Sequence, residues 1–172
     1  MASSLARTTP VARRSMADEV LEQRAAYLIG VIANTVVNVN SAMCRRTAGI
    51  GFTEWRAMVV LALEPATAKR ICEVTALDKA AISRSLQSLE RQGLIRASDS
   101  TAGRRSRAYL LTDAGRGVYD QLLPAARGLE SVLLSALEPD EIPVLMRLLR
   151  RLKGALPAVE KLQRVGPVQP EP

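Results

Sequence analysis

The chain has 172 residues, 48% of them hydrophobic, with 24 Lys and Arg against 17 Asp and Glu and a net charge of +7. That length and apolar fraction support one compact domain with helical extensions and exclude a mostly disordered chain. There is no histidine, and Cys44 and Cys72 lie far apart, which excludes His-based catalysis, a disulfide scaffold and the usual zinc spacings.

The 3% aromatic content leaves little for stacking single-stranded bases. The basic balance favours a polyanionic partner without saying which one. Met1–Val20 lacks the long apolar core of a secretory signal. The longest apolar runs are interrupted by Asn or Arg, so no membrane-spanning helix is expected, and the expected setting is the cytoplasm. The acidic residues are scattered, and no serine or cysteine has a histidine base, so neither catalytic residues, nor a metal site, nor a cofactor is expected.

In chain order, Met1–Ala17 is rich in Ala, Ser, Thr and Arg and is expected to be a mobile basic arm. Leu21, Leu28, Val31, Ile32, Val36, Val39 and Met43 recur at helical spacing and predict one long helix from Asp18 to Arg46, ended by Gly49-Ile50-Gly51. Thr53 is placed to cap a helix over Glu54–Leu63, which stops before Pro65. Thr67 caps a short helix over Ala68–Thr75, and Asp78 caps another over Lys79–Gln92, stopped by Gly93.

The period then shortens. Residues 94–98 and 107–111 predict two strands, joined by a link with turn residues at its centre. Thr112 or Asp113 caps a helix running to Leu137 with a kink at Pro124. A last helix starts at Pro139-Asp140-Glu141, with Pro143 in its first turn and Leu145, Leu148, Leu149 and Leu152 on one face. The tail after Leu162 is Pro-rich. The fold class is mainly α with a small β wing. The divisions are an arm over 1–17, an N-terminal helix over 18–48, a winged helix-turn-helix over 49–112, C-terminal helices over 113–163 and a tail over 164–172.

The helix over Lys79–Gln92 has two contrasting sides. Ile82, Leu86 and Leu89 fall at i, i+4 and i+7, a stripe for burial. The other side carries Lys79, Ala81, Ser83, Arg84, Gln87, Ser88 and Arg91, which are small or donate hydrogen bonds. Small residues let a helix backbone approach the floor of the major groove, and long polar ones reach base edges. Arg84 is the best base reader, because Arg bonds guanine in bidentate fashion. Arg104, Arg105 and Arg107 surround Gly103 at the hairpin and suit a narrow minor groove. Taken alone, a polar helix face or an arginine cluster is a solvated surface. The joint order of capped helix, turn, capped helix, Gly stop and basic hairpin carries the reading.

Leu77-Asp78-Lys79-Ala80-Ala81-Ile82-Ser83-Arg84, Leu89-Glu90-Arg91-Gln92-Gly93-Leu94-Ile95, Gly103-Arg104-Arg105-Ser106 and Leu111-Thr112-Asp113-Ala114-Gly115 together resemble the MarR family of bacterial regulators. The resemblance covers about Glu19 to Leu156 and is strongest from Phe52 to Gly115. It implies a homodimer with intertwined N- and C-terminal helices, gripping successive major grooves of a pseudo-palindromic duplex DNA site. It places Ala80, Ala81 and Arg84 in the groove and Arg104 at the wing tip. One departure concerns the wing: many members carry Asp where this chain has Gly103, so the brace for the wing arginine falls to Asp99 or is missing.

The resemblance also implies a crevice for a small aromatic carboxylate or phenolic effector. Asn34, Asn38, Ser41 and Arg45 form a polar stripe at i, i+4, i+7 and i+11, and Arg46 and Arg56 supply further carboxylate clamps. The same stripe also reads as a solvent face or as a set of cross-dimer hydrogen bonds. Two alternatives stand beside the ligand-responsive repressor. One is a redox sensor, with Arg45 and Arg46 lowering the Cys44 pKa and Cys72 the lesser candidate. The other is a non-specific architectural DNA-binding protein.

Overall fold

The computed structural model describes residues 16–98 and 107–165. Two compact units divide the chain, Met1–Leu122 and Leu123–Pro172. The described elements are α1 (Met16–Glu22), α2 (Ala25–Ala48), α3 (Phe52–Leu63), β1 (Ala66–Thr67), α4 (Ala68–Thr75), α5 (Lys79–Arg91), β2 (Ile95–Ala97), β3 (Ala108–Leu111), α6 (Asp113–Leu134) and α7 (Glu141–Val165). The basic arm lies outside the described residues except for Met16 and Ala17, which open α1, and the tail does so except for Arg164 and Val165.

The single N-terminal helix expected over 18–46 is two helices. Arg24 sits between them in an extended conformation, with φ −100° and ψ 110°. Its N–H donates to the Leu21 carbonyl, and its own carbonyl accepts from the Tyr27 and Leu28 N–H groups. No Gly or Pro stands at Glu22-Gln23-Arg24, so composition gives no sign of this break. The next helix also starts early. Glu54, at its third position, accepts a hydrogen bond from the Gly51 N–H and closes the N-terminus from inside. That is one arm of a capping box, and it makes a Thr53 cap unnecessary.

The core of the first unit is built on α3, which buries Trp55, Ala57, Met58, Val60 and Leu61. It packs against α2, α4 and α5. Cys44 of α2, Ile71 of α4, and Ile82, Leu86 and Leu89 of α5 close around it, each with 2% exposure or less. Full burial of one such aliphatic side chain contributes about 1.5–3 kcal/mol. Thr67 caps α4 by accepting from the Arg70 N–H at 3.2 Å. Residue 76 follows in the left-handed region, with φ 54° and ψ 29°, although it is alanine. That backbone turns the chain from α4 into α5.

The sheet has three strands in the order β1-β3-β2, all antiparallel. The hairpin pairs Ile95 with Leu111 and Ala97 with Tyr109. The short β1, which the sequence did not predict, adds Ala66 opposite Tyr109. Two residues are too few for a period-2 signal. In the second unit, α6 ends at Leu134, three residues before the expected Leu137, and Ser135–Leu137 form turns. The Glu141 carboxylate accepts from the Glu138 N–H at 2.8 Å where α7 begins. Pro143 is the third residue of α7, where its missing N–H would have had no intrahelical partner.

One junction holds α5, the sheet and α6 together. Gly93, with φ +69°, ends α5, and the Leu94 N–H returns to the Leu89 carbonyl at 2.9 Å. The Thr112 N–H donates to the Leu94 carbonyl at 3.1 Å, and its hydroxyl donates to the Gly93 carbonyl at 2.7 Å. The same hydroxyl accepts from the Gly115 N–H at 3.1 Å. A Cβ on Gly115 would lie 1.9 Å from the Leu94 carbonyl oxygen. Only glycine lets the first turn of α6 approach this closely.

Gly115→Ala is therefore expected to lose about 3 kcal/mol, because the obstacle is backbone. Urea unfolding checks it, and a loss of unfolding free energy under a third of that would contradict the close packing. Ala76→Gly should be neutral or stabilising by up to about 1 kcal/mol, whereas Ala76→Val should destabilise.

Candidate nucleic-acid interface

The sequence of α5 sorts its side chains into a buried stripe and an exposed face. Asp78 accepts from the Ala81 N–H at 2.8 Å and fixes where the helix begins. Ile82, Ser85, Leu86 and Leu89 are buried. Lys79, Ala80, Ser83, Arg84, Gln87 and Arg91 are exposed. Lys79, Ser83, Arg84, Gln87 and Arg91 have no hydrogen bond or ion pair with any described side chain. Arg84, Gln87 and Arg91 stand at i, i+3 and i+7 and so share one strip of the helix. Ala81 and Ser88 lie half-buried on its flanks, and the Ser88 hydroxyl is taken by the Gln92 amide at 3.1 Å.

The wing residues divide differently. Arg104 and Arg105, and the possible brace Asp99, lie outside the described residues. Arg107 is described and is engaged within the protein. Its guanidinium pairs with Glu90 and lies over the Tyr109 ring, 5.4 Å from the centroid.

The helix-turn-helix is braced from α3 and α6 by two other arginines. Arg56 donates to the Thr75 carbonyl at the end of α4. Arg116 donates to the Ala62 carbonyl near the end of α3, at 3.2 Å. A cation at a helix C-terminus complements the partial negative charge of its free carbonyls. Burial pulls the Arg56 pKa down, yet a guanidinium still keeps its charge at neutral pH. Tyr119 lies 5.5 Å from Arg116 and stacks on Trp55 with centroids 5.4 Å apart. This ties α6 to α3 by an aromatic contact.

The expected effector residues differ in exposure. Asn34, Asn38, Arg45 and Arg46 are exposed, and Ser41 is half-buried. Arg56 already serves the α4 terminus. The polar side chain that α2 does bury is Asn40, whose amide donates to the Val36 carbonyl at 2.8 Å. It lies outside the stripe i, i+4, i+7, i+11, so its spacing gives no sign of it. A cleft of about 470 Å³ lies wholly within the second unit, against Ser131, Leu134, Leu137, Ile142 and Pro143 among others, with no charged group in its lining. No group of three or more potential metal ligands occurs among the described residues.

Cys44 is fully buried. Desolvation raises its thiol pKa above the ordinary 9.0, and it outweighs the lowering by the Cys44 backbone hydrogen bond and by Arg45. The expected activation by neighbouring arginines is thus reversed, because burial penalises the thiolate more than Arg45 favours it.

Two short helices joined through a left-handed turn, then a hairpin, with long helices on either side, define a winged helix-turn-helix protein. The model of the MarR family matches residues 48–106. A MarR/EmrR family transcriptional regulator from Acinetobacter sp. ADP1 has 29% identity and a TM-score of 0.74, over 83% of this chain and 99% of that one. A MarR family regulator from Silicibacter pomeroyi has 26% identity and a TM-score of 0.65, over 81% and 94%. A probable transcriptional regulator from Pseudomonas aeruginosa has 30% identity and a TM-score of 0.60, over 75% and 99%. No curated protein sequence matches the chain. The chain belongs to the MarR family and is a transcriptional regulator of that family.

The buried thiol yields a pH prediction. Stability from keeping Cys44 neutral is complete below its unfolded pKa and is lost as pH rises through the raised folded value. The wild type should therefore lose stability above about pH 9 more steeply than Cys44→Ala. Parallel pH curves for the two proteins would contradict it.

Proposed function

We propose that the chain is a homodimeric repressor whose two α5 helices enter successive major grooves of a pseudo-palindromic operator. A small aromatic or phenolic acid releases it. The observation that carries the reading is the unpaired strip of Arg84, Gln87 and Arg91 beside Ala80 and Ser83 on a helix whose other face is locked in the core. Nothing inside the described protein competes for these donors, and the small residues leave room for close approach. A protein of the same fold, Staphylococcus aureus MepR, 19% identical with a TM-score of 0.68, is known in complex with DNA.

The dimer is supported by apolar surface on each unit. Leu28, Ile32 and Val39 of α2 are 40–50% exposed, and Leu148, Leu149 and Leu152 of α7 are 42–52% exposed. Exposed apolar faces of this kind on long helices mark interaction surfaces in soluble proteins. A second copy covering both faces is the occupant that symmetry supplies most directly. By length and composition α2 is also apolar enough to cross a membrane, contrary to the expectation from its interrupted apolar runs. Against a span stand Asn34, Asn38 and Asn40 at mid-helix, costly in hydrocarbon, and the burial of Asn40, Met43 and Cys44 in the protein. The cytoplasm is the compartment this reading requires.

Support for the effector class comes from two further proteins of this fold. Staphylococcus aureus MarR is in complex with salicylate and kanamycin, and DNA binding by Bordetella bronchiseptica BpsR is regulated by 6-hydroxynicotinic acid. They are 18% and 20% identical to this chain. Arg45, Arg46 and Arg56 are the cations offered here to such a carboxylate, with Asn34, Asn38 and Ser41 as orienting groups. Binding acts only through different affinities for the two conformations.

The test is selection of duplexes from a random-sequence pool, followed by binding of the selected and a scrambled duplex at fixed salt. Arg84→Ala should reduce the preference for the selected duplex by about tenfold. Equal affinity of the wild type for both duplexes would leave only an architectural DNA-binding protein. Leu149→Asp with Leu152→Asp should shift sedimentation from dimer to monomer, and a wild-type monomer would end the dimer proposal. Titrating salicylate into the complex should weaken it, and unchanged affinity up to millimolar salicylate would remove the aromatic-acid effector.

A further inference from the structure

Arg107 has the residue type and position of a DNA ligand, yet it is already occupied. It immediately precedes β3, and its guanidinium makes an ion pair with Glu90, on the last turn of α5. The same guanidinium lies over Tyr109, two residues on along the strand and so on the same face of it. Tyr109 in turn pairs with Ala97 on one side and with Ala66 on the other. One side chain thus links the end of the exposed helix face to the middle strand of the sheet.

We propose that Arg107 and Glu90 are positioning residues that lock the base of the wing to the last turn of the reading helix, and that Arg107 does not bind phosphate. This rests on the DNA-reading role of α5 proposed above. Charge placement favours the lock. Glu90 lies seven residues after Ser83 and therefore on the same side of α5. An unpaired carboxylate there would face the phosphates of a duplex docked on Ser83, Arg84 and Gln87. Paired with Arg107, its charge is neutralised without engaging Lys79, Arg84 or Arg91, the free cations of α5. If Arg107 left to contact a phosphate, it would uncover that carboxylate at the same moment. The gain of one contact would be offset by one repulsion. Both side chains are partly exposed, at 48% and 36%, so the pair is weak as a source of global stability. Its consequence is local: the angle between two elements that meet the same ligand.

The test compares the wild type with Arg107→Gln, Glu90→Gln, the double variant, and the exchange of Glu90→Arg with Arg107→Glu. Affinity is measured over a salt series with a duplex selected by the wild type. Each single variant is expected to bind about threefold or more weakly, the double no worse than either single, and the exchange to recover most of the loss. The slope of log affinity on log salt should stay at the wild-type value in Arg107→Gln. A lost phosphate contact would instead reduce that slope by about 0.9. Such a reduction, together with tighter binding by Glu90→Gln, would overturn the lock. In the protein without DNA, amide exchange at Ser98, whose N–H donates to the Ala108 carbonyl at 2.8 Å, should quicken in both single variants and return in the exchanged pair. Unchanged exchange rates would overturn it as well. If the wild type selects no duplex, the DNA-reading proposal fails, and the exchange rates still decide whether the lock exists.

Discussion

The approach of Gly115 to the Leu94 carbonyl is the constraint on which the winged unit depends. A helix start normally needs side chains to satisfy its free N–H groups. Here Thr112 meets that need and also spends its hydroxyl proton on the Gly93 carbonyl. The exit of α5, the end of β3 and the entry of α6 thereby become one hydrogen-bonded knot. The sheet cannot shift relative to the reading helix without breaking it. Leu94 and Ile95 are buried beside it, so water cannot replace the lost bonds cheaply. The exposed face of α5 is as well oriented as this knot makes it.

A second set of interactions extends that rigidity towards α3 and α6. Arg56 and Arg116 each donate to a main-chain carbonyl at or near a helix C-terminus, at Thr75 and Ala62. Each therefore joins two elements through one planar donor. The Trp55–Tyr119 stack joins α3 and α6 by an aromatic contact as well. Thr75 precedes Ala76, whose left-handed backbone sets the angle between α4 and α5. A movement of α3 would therefore reach the end of α4 through Arg56 as well as through the packed core. That makes Arg56 a mechanical residue whether or not an anion ever competes for it.

Much of this was legible in the sequence where local chemistry decides. Asp78, Gly93 and the 82–86–89 stripe each act through their near neighbours, so their roles could be read from type and spacing. The family motif also pointed to Gly115, although the reason for it, a carbonyl from twenty-one residues earlier, was not visible. Readings failed where tertiary contact overrules local preference. Thr53 is a good cap by type, but Glu54 reaches Gly51 instead. The break at Arg24 has no local breaker. Cys44 sits beside two arginines, a pattern that suggests an acidic thiol, but the core that surrounds it comes from distant helices. Asn40 was missed because one buried amide makes no period, and the partnership of Arg107 with Glu90 was missed because it spans seventeen residues.

The arginines show how the chain separates structure from recognition. Arg56, Arg70, Arg107 and Arg116 are all engaged with carbonyls, carboxylates or rings. Arg84 and Arg91 are not. An exposed cation left unpaired costs folding little, because water solvates it fully. Its value appears only when a polyanion replaces its counterions. A cation bound to an internal carboxylate has lost most of that value, since the pair is already neutral. Counting basic residues, ten against six acidic ones between Thr53 and Thr112, therefore overstates the charge available to DNA. What the proposed complex can use is the subset that folding leaves free, and on α5 that subset is Lys79 at the N-terminus and the strip that carries Arg84 and Arg91.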